Sequence, residues 1–215
     1  MHMSFRRSRK EIKTQCSTAQ VHEESVCAAC ESEGYRHIDT AVYRNEADVG
    51  LAIRDSGAPR QDRGPARPMQ VVEGVRLSNR KLGLEYIDLY LLHAPFDAAT
   101  RADAWKALED MQTEGVVRDI RVPNFGELHL QKLAQTWRVK PAVNQVELHP
   151  WLARADTVKY CKEQGILMEA YSPLARAQKM HDRTLKQVAS EAGATSAHVL
   201  IAWSLANGEN IDRRS

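Results

Sequence analysis

From Gly34 onward the chain alternates short apolar runs with longer segments whose apolar residues recur every three or four positions. A short run without a polar face must be covered on both sides, which is the situation of strands in a parallel sheet. Consecutive parallel strands need a crossover long enough to hold a helix, so repeated strand–helix units build a parallel sheet lined by helices. The pattern predicts strands at 36–40, 86–92, 117–122, 142–148 and 166–171. It places Ala104, Leu108 and Met111 on one helical face. Leu185, Val188, Ala189 and Ala192 share a second face, and Ala197, Leu200, Ile201, Ser204 and Leu205 a third. Gly115 and Gly193 stand where helix C-caps belong, and Asp55-Ser-Gly-Ala-Pro59 ends a helix predicted at 46–54.

Two stretches interrupt this rhythm. Arg63-Gly-Pro-Ala-Arg-Pro68 lies where another strand is due, but two prolines and a glycine make a ladder strand there improbable. Residues 209–213, also due to form a strand, look too polar for a buried parallel one. The expectation is an α/β fold of the (β/α)8 barrel type, incomplete or distorted, with strands missing near the N-terminus, around 63–68 and at the C-terminus. Such a barrel would have unpaired edges open to association, although a monomer is expected. Residues 1–18 read as a divergent basic arm and 19–215 as one barrel domain.

The chain has 215 residues with 30 basic and 28 acidic side chains, a balance that gives no electrostatic argument for a nucleic-acid or membrane-surface partner. Without an apolar run long enough to span a bilayer or a signal segment, the expected setting is the cytoplasm and the expected partner a small molecule. Cys27-Ala-Ala-Cys30 has metal or redox spacing, but it sits in a helical run at 23–33 without a second ligand pair. No metal is expected.

In a parallel barrel the working groups gather at the C-terminal ends of the strands. Those ends carry Asp39, His93, Asn124, Gln145 with Glu147, and Tyr171 with Ser172. One polar residue at a strand end is ordinarily just a satisfied hydrogen-bonding partner; five directed to one rim point to a site. His149, before Pro150, reads as structural, and Trp105, Trp137, Trp151 and Trp203 read as core or rim packing.

The same residues sit in recognisable blocks. Gly34-Tyr-Arg-His-Ile-Asp-Thr-Ala41, with Tyr43-Arg-Asn-Glu46 and Val49-Gly50, resembles the first signature of the aldo-keto reductases. Leu82-Gly-Leu-Glu-Tyr-Ile-Asp-Leu-Tyr-Leu-Leu-His-Ala-Pro95 is similar to the second. Lys140-Pro-Ala-Val-Asn-Gln-Val-Glu-Leu-His-Pro150 and Glu169-Ala-Tyr-Ser-Pro-Leu174 resemble two further blocks, in the family's order and approximate spacing. The resemblance runs from about Ala19 to Ser215. It implies NADPH-dependent reduction of aldehydes or ketones to alcohols, with Tyr43 as acid, Asp39 as partner of a lysine and His93 as orienting donor. It also implies cofactor contacts from Asn124, Gln145, Tyr171, Ser172 and Leu174, with Arg214 and Ser215 at the adenosine 2′-phosphate.

Against that pattern the chain departs in several places. The family's lysine ends the strand that 63–68 replaces, and Lys81, the nearest candidate, falls in a helical stretch at 71–82 on the outer or lower surface. An unperturbed phenol has a pKa of about 10, so it serves as an acid at neutral pH only beside a cation that lowers that value. The family usually has one residue more between aspartate and tyrosine than Thr40, Ala41 and Val42 provide. Pro123 replaces a serine, and Arg121 stands where glycine is usual. The expected consequence is weakened NADPH binding and impaired turnover. The alternative is a non-catalytic relative that binds only cofactor or a partner.

Overall fold

A computed structural model describes residues 3–4, 14–17, 38–40, 68–83, 85–91, 99–207 and 210–212, with side chains described at 71–81, 83, 85–91 and 99–207. Among the described residues, eight strands form a closed barrel: β1 (Met3–Ser4), β2 (Thr14–Ser17), β3 (Ile38–Thr40), β4 (Ile87–Leu91), β5 (Val117–Pro123), β6 (Val143–Glu147), β7 (Leu167–Tyr171) and β8 (Asn210–Asp212). Around the ring they run β1, β3, β2, β8, β7, β6, β5, β4, with β4 closing on β1. Every pairing is parallel except those of β1, which runs antiparallel to both β3 and β4. The five strands expected from sequence are present within two residues at either end.

The expected vacancies resolve differently. Thr14–Ser17 pairs with β3 and β8, so a strand is present near the N-terminus. Asn210–Asp212 pairs with β7 and β2, so the polar C-terminal stretch is a strand after all. Its polarity does not prevent this, because a three-residue strand paired on both sides satisfies its backbone whatever its side chains are. At 61–67 no strand is described. The place between β3 and β4 is taken instead by Met3–Ser4, inside the stretch 1–18 read as an arm. The barrel is therefore distorted but closed, and the argument for association through open edges falls with closure.

Six α-helices are described: α1 (Pro68–Leu82), α2 (Arg101–Thr113), α3 (Glu127–Ala134), α4 (Ala155–Glu163), α5 (Arg183–Glu191) and α6 (Ser196–Ala206). The predicted helices at 23–33 and 46–54 lie outside the described residues. After α2, Gly115 takes φ +74, its N–H reaches Gln112 O and the Val116 N–H reaches Met111 O. Gly165 after α4 and Gly193 after α5 repeat the arrangement, with φ +63 and +59. A left-handed residue at this position satisfies the last carbonyls and turns the chain, and only glycine adopts it without strain. Asp182 and Thr195 cap α5 and α6, each accepting a backbone N–H from three residues on.

The main core lies between the helices and the outer face of the sheet. Val71 and Val75 from α1, Ala104, Trp105, Leu108 and Met111 from α2, and Leu130 and Leu133 from α3 pack on Tyr90, Ile120, Val122, Val146 and Met168. Full burial of one such large apolar side chain is worth about 1.5–3 kcal/mol. Trp105 is buried with its indole N–H donating to Val139 O at 3.0 Å, as a core tryptophan requires. Buried Glu109 of α2 accepts the backbone N–H groups of Arg138 and Val139, fixing the chain just before β6. Helix-to-strand contacts of this kind set the register that aligns β5, β6 and β7.

Candidate active site

The C-terminal ends of β5, β6 and β7 converge on one rim. Asn124, immediately after β5, takes a left-handed φ of 52°, which asparagine tolerates better than most residues. Its backbone N–H donates to Gln145 O at 2.7 Å, and its side-chain Oδ1 accepts from Tyr171 Oη at 3.1 Å. Thus the end of β5 is tied to β6 through the backbone and to β7 through side chains. Asn144, fully buried on the outer face of β6, fixes the next residue. Its Nδ2 donates to Phe125 O at 2.8 Å and its Oδ1 accepts from Phe125 N at 3.3 Å. Burial pushes the neighbouring Cys161 thiol up, while the hydrogen bond from Asn144 works in the opposite direction.

Inside the barrel a charged cluster supports this rim. β6 and β7 run level with each other at Gln145 and Glu169, and β5 and β6 at Pro123 and Gln145, so Arg121, Gln145 and Glu169 alternate onto the same inner face. Arg121 Nη1 lies 2.8 Å from both carboxylate oxygens of Glu169, and Gln145 Nε2 donates to Glu169 Oε1 at 2.7 Å. All three side chains are at most 2% exposed. Removal of either ionic partner would break a buried ion pair, which costs far more than breaking an exposed one.

Above β6 and β7 the rim continues into a polar loop. Arg176 pairs with Glu147 at 2.8 Å, Arg154 Nε donates to Glu147 O at 2.8 Å, and His149 Nε2 approaches Glu147 Oε1 at 3.8 Å. Burial holds the His149 imidazole below its ordinary pKa, outweighing the carboxylate that would raise it. Ser172, buried at the end of β7, has φ 50°, and Ala175, Arg176 and Ala177 follow with φ between 50° and 61°. Positive φ in four non-glycine residues within six positions is unusual and marks a backbone constrained by its surroundings. Leu174 precedes the short 3-10 turn Ala175–Ala177.

The sequence-derived candidates thus divide. Asn124 and Tyr171 are in contact, Gln145 is joined to their strands and turned inward to Glu169, and Ser172 and Leu174 lie in the following turn. Asp39 lies in β3, level with Ser4 of β1 and Ser17 of β2. Tyr43, His93, Arg214 and Ser215 lie outside the described residues, as do Arg63, Arg67, Cys27 and Cys30. Lys81 is exposed in the last turn of α1, on the approach to the N-terminal end of β4. Trp151 is partly exposed beside His149, whereas Trp137 and Trp203 pack on the core. Two groups escaped the sequence reading: Glu169, quoted only as part of a block, and the pairing of Arg121. An arginine in one barrel strand and a glutamate in another were the available signal.

Comparisons with known proteins agree with this fold. The model of the Aldo/keto reductase family matches residues 11–211. Glyoxal reductase of Bacillus subtilis is 40% identical over 197 residues, covering 86% of this chain and 70% of that protein. The crystal structure of an aldo-keto reductase from a Medee basin deep-sea metagenome library superposes with a TM-score of 0.87 at 31% identity, covering 97% of this chain and 82% of the other. An aldo/keto reductase from Brucella melitensis superposes with a TM-score of 0.83, also at 31% identity, covering 94% and 83%. With the barrel, the ordered motifs and the match over most of its length in agreement, the chain belongs to the aldo/keto reductase family of oxidoreductases.

Proposed function

We propose that this chain binds NADPH at the β5–β7 rim and reduces small aldehydes or ketones to alcohols, at a rate well below that of a complete family member. The observation that carries the cofactor assignment is the hydrogen bond between Tyr171 and Asn124 at the rim. Tyr171 Oη donates to Asn124 Oδ1, which leaves the Nδ2 end of Asn124 as the donor for a ligand. That donor suits the carbonyl oxygen of a primary carboxamide, the group on the nicotinamide ring, and Tyr171 brings an aromatic face to the same place. Gln145, whose Nε2 donates to Glu169, lies on the strand between them. When bound, the dihydronicotinamide supplies hydride. Ser172 and Leu174 would line the same pocket, and Arg214 and Ser215 would favour a 2′-phosphate.

On the substrate side, Tyr43 would give the proton to the carbonyl oxygen, His93 would orient that oxygen, and Asp39 would lie beneath them. A carboxylate beside the tyrosine with no cation to offset it would raise the phenol pKa, so the proton would be given up less readily at neutral pH. Among the described residues, the neighbours of β3 and β4 in the place between them are Met3 and Ser4. That observation also favours a second reading, in which the chain holds cofactor without turning substrate over. The cytoplasm is the proposed setting, and the closed ring favours a monomer.

Fluorescence titration with NADPH and with NADH, beside steady-state assays on aldehydes, ketones and sugars, tests the proposal. Tighter binding of NADPH with slow aldehyde reduction is the expected result. Turnover of an unrelated class, such as an ester, would overturn the substrate assignment, and saturable binding without any turnover would establish the second reading.

A further inference from the structure

We infer that Asn144, buried on the outer face of β6, is the positioning residue that aims the Asn124 side chain at the cofactor. This rests on the reading that Asn124 Nδ2 meets the nicotinamide carboxamide. Along β5 successive side chains alternate between the two faces of the sheet, and Ile120 and Val122 pack outward among the helices. An extended Asn124 would continue that series and point away from the barrel. It turns instead to the rim, where its Oδ1 accepts from Tyr171 Oη at 3.1 Å, because its backbone is left-handed with φ 52°. A residue other than glycine holds such a conformation only where its surroundings over-determine it.

The groups that fix it lie on both sides of Asn124. Its own N–H donates to Gln145 O at 2.7 Å. After it, Asn144 holds both backbone groups of the next residue: Oδ1 accepts from Phe125 N at 3.3 Å and Nδ2 donates to Phe125 O at 2.8 Å. A carboxamide suits this task because it carries an acceptor and a donor side by side, the complement of a residue's N–H and C=O. The same Nδ2 lies 3.6 Å from Cys161 Sγ, so α4 braces the amide from behind. Asn144 is 0% exposed and Phe125 1%, so water cannot take over these bonds, whereas Asn124 itself is partly exposed at the rim. Closed off in this way, Asn144 acts only through the backbone that follows Asn124.

A double-mutant cycle separates this role from a general loss of packing. NADPH affinity is measured by fluorescence titration in the wild type, Asn144→Ala, Asn124→Ala and the double variant, each with a melting curve to show that it is folded. Either single change is expected to weaken NADPH about 3- to 10-fold, the size of one uncharged hydrogen bond. Because Asn144 works through Asn124, adding Asn144→Ala to Asn124→Ala should cost less than about 2-fold more. Asn144→Ser is the second variant, since its hydroxyl can still meet one Phe125 group and disturbs the fold less; the same loss, and its disappearance beside Asn124→Ala, are expected. Undiminished affinity in a folded Asn144→Ala or Asn144→Ser would overturn the inference. So would losses that multiply in the double variant, the mark of a merely structural role. Failure of the wild type to bind NADPH, or full affinity in Asn124→Ala, would instead overturn the cofactor contact on which the inference rests.

Discussion

The two sides of the barrel are built differently. The arc of β5, β6 and β7 uses strands of five to seven residues, joined by registers of three to five residue pairs. Its rim is cross-linked by Asn124, Tyr171 and Asn144, and beneath it lies the Arg121–Glu169–Gln145 cluster. The arc of β3, β1 and β4 is joined through a two-residue strand that enters backwards, paired at only two positions on each side. Ring closure is thus compatible with very unequal support for the groups at the rim. Side chains that would hold a cofactor come from the first arc, and Asp39, which would serve the proton transfer, comes from the second. Cofactor binding and chemistry should therefore respond separately to mutation.

The largest effect is expected from Glu169→Ala, which removes the buried carboxylate that Arg121 Nη1 reaches at 2.8 Å. Loss of about 3–5 kcal/mol in denaturant unfolding is expected, and a loss below 1 kcal/mol would show that the first arc does not depend on the cluster. Tyr171→Phe should act on binding instead. It removes the bond to Asn124 Oδ1 while keeping the ring, so NADPH affinity should fall several-fold, the equivalent of about 0.5–1.5 kcal/mol. The unfolding midpoint should move little. On the second arc, Ser4→Pro removes a backbone donor from β1 and should cost about 1 kcal/mol or less, given only two paired residues on each side. A cost equal to that of Glu169→Ala would abolish the contrast between the arcs.

The smallest effect concerns pH. Burial lowers the pKa of His149 and, with help from Arg101 and Lys132, that of His129 below the ordinary value of 6.5. In the unfolded chain these imidazoles take up protons at a higher pH than in the folded one. Their contribution to stability is complete above pH 6.5 and is lost as pH falls through the lowered folded values. Unfolding free energy measured from pH 7.5 downward should decline in that window, and His149→Gln should flatten part of the decline. An unchanged slope would assign the decline to other groups.

Much of this design was legible in the sequence. Strand periodicity located β3 to β7 because parallel barrel strands are buried on both faces and cannot hide among polar segments. The residues at their ends followed from the rule that barrel sites form at that face. Asn210–Asp212 was misjudged because hydropathy reports on side chains, whereas a strand between two neighbours is fixed by its backbone. Met3–Ser4 could not have been located, since two residues carry no periodicity and their partners lie far along the chain. Glu169 was hidden for a related reason. Its meaning depends on Arg121, 48 positions away, and only the register of three strands brings the two together.

Parallel measurement of NADPH binding and aldehyde turnover on one purified preparation tests the separation of the two arcs most directly. NADPH should give a saturable fluorescence change, while the slow reduction of a reactive aldehyde such as 4-nitrobenzaldehyde should change less than about 10-fold in Tyr43→Phe. A positioned general acid typically contributes about 100-fold or more. A loss of that size in Tyr43→Phe would contradict the separation, because it would mean that the second arc supplies a cation to Tyr43.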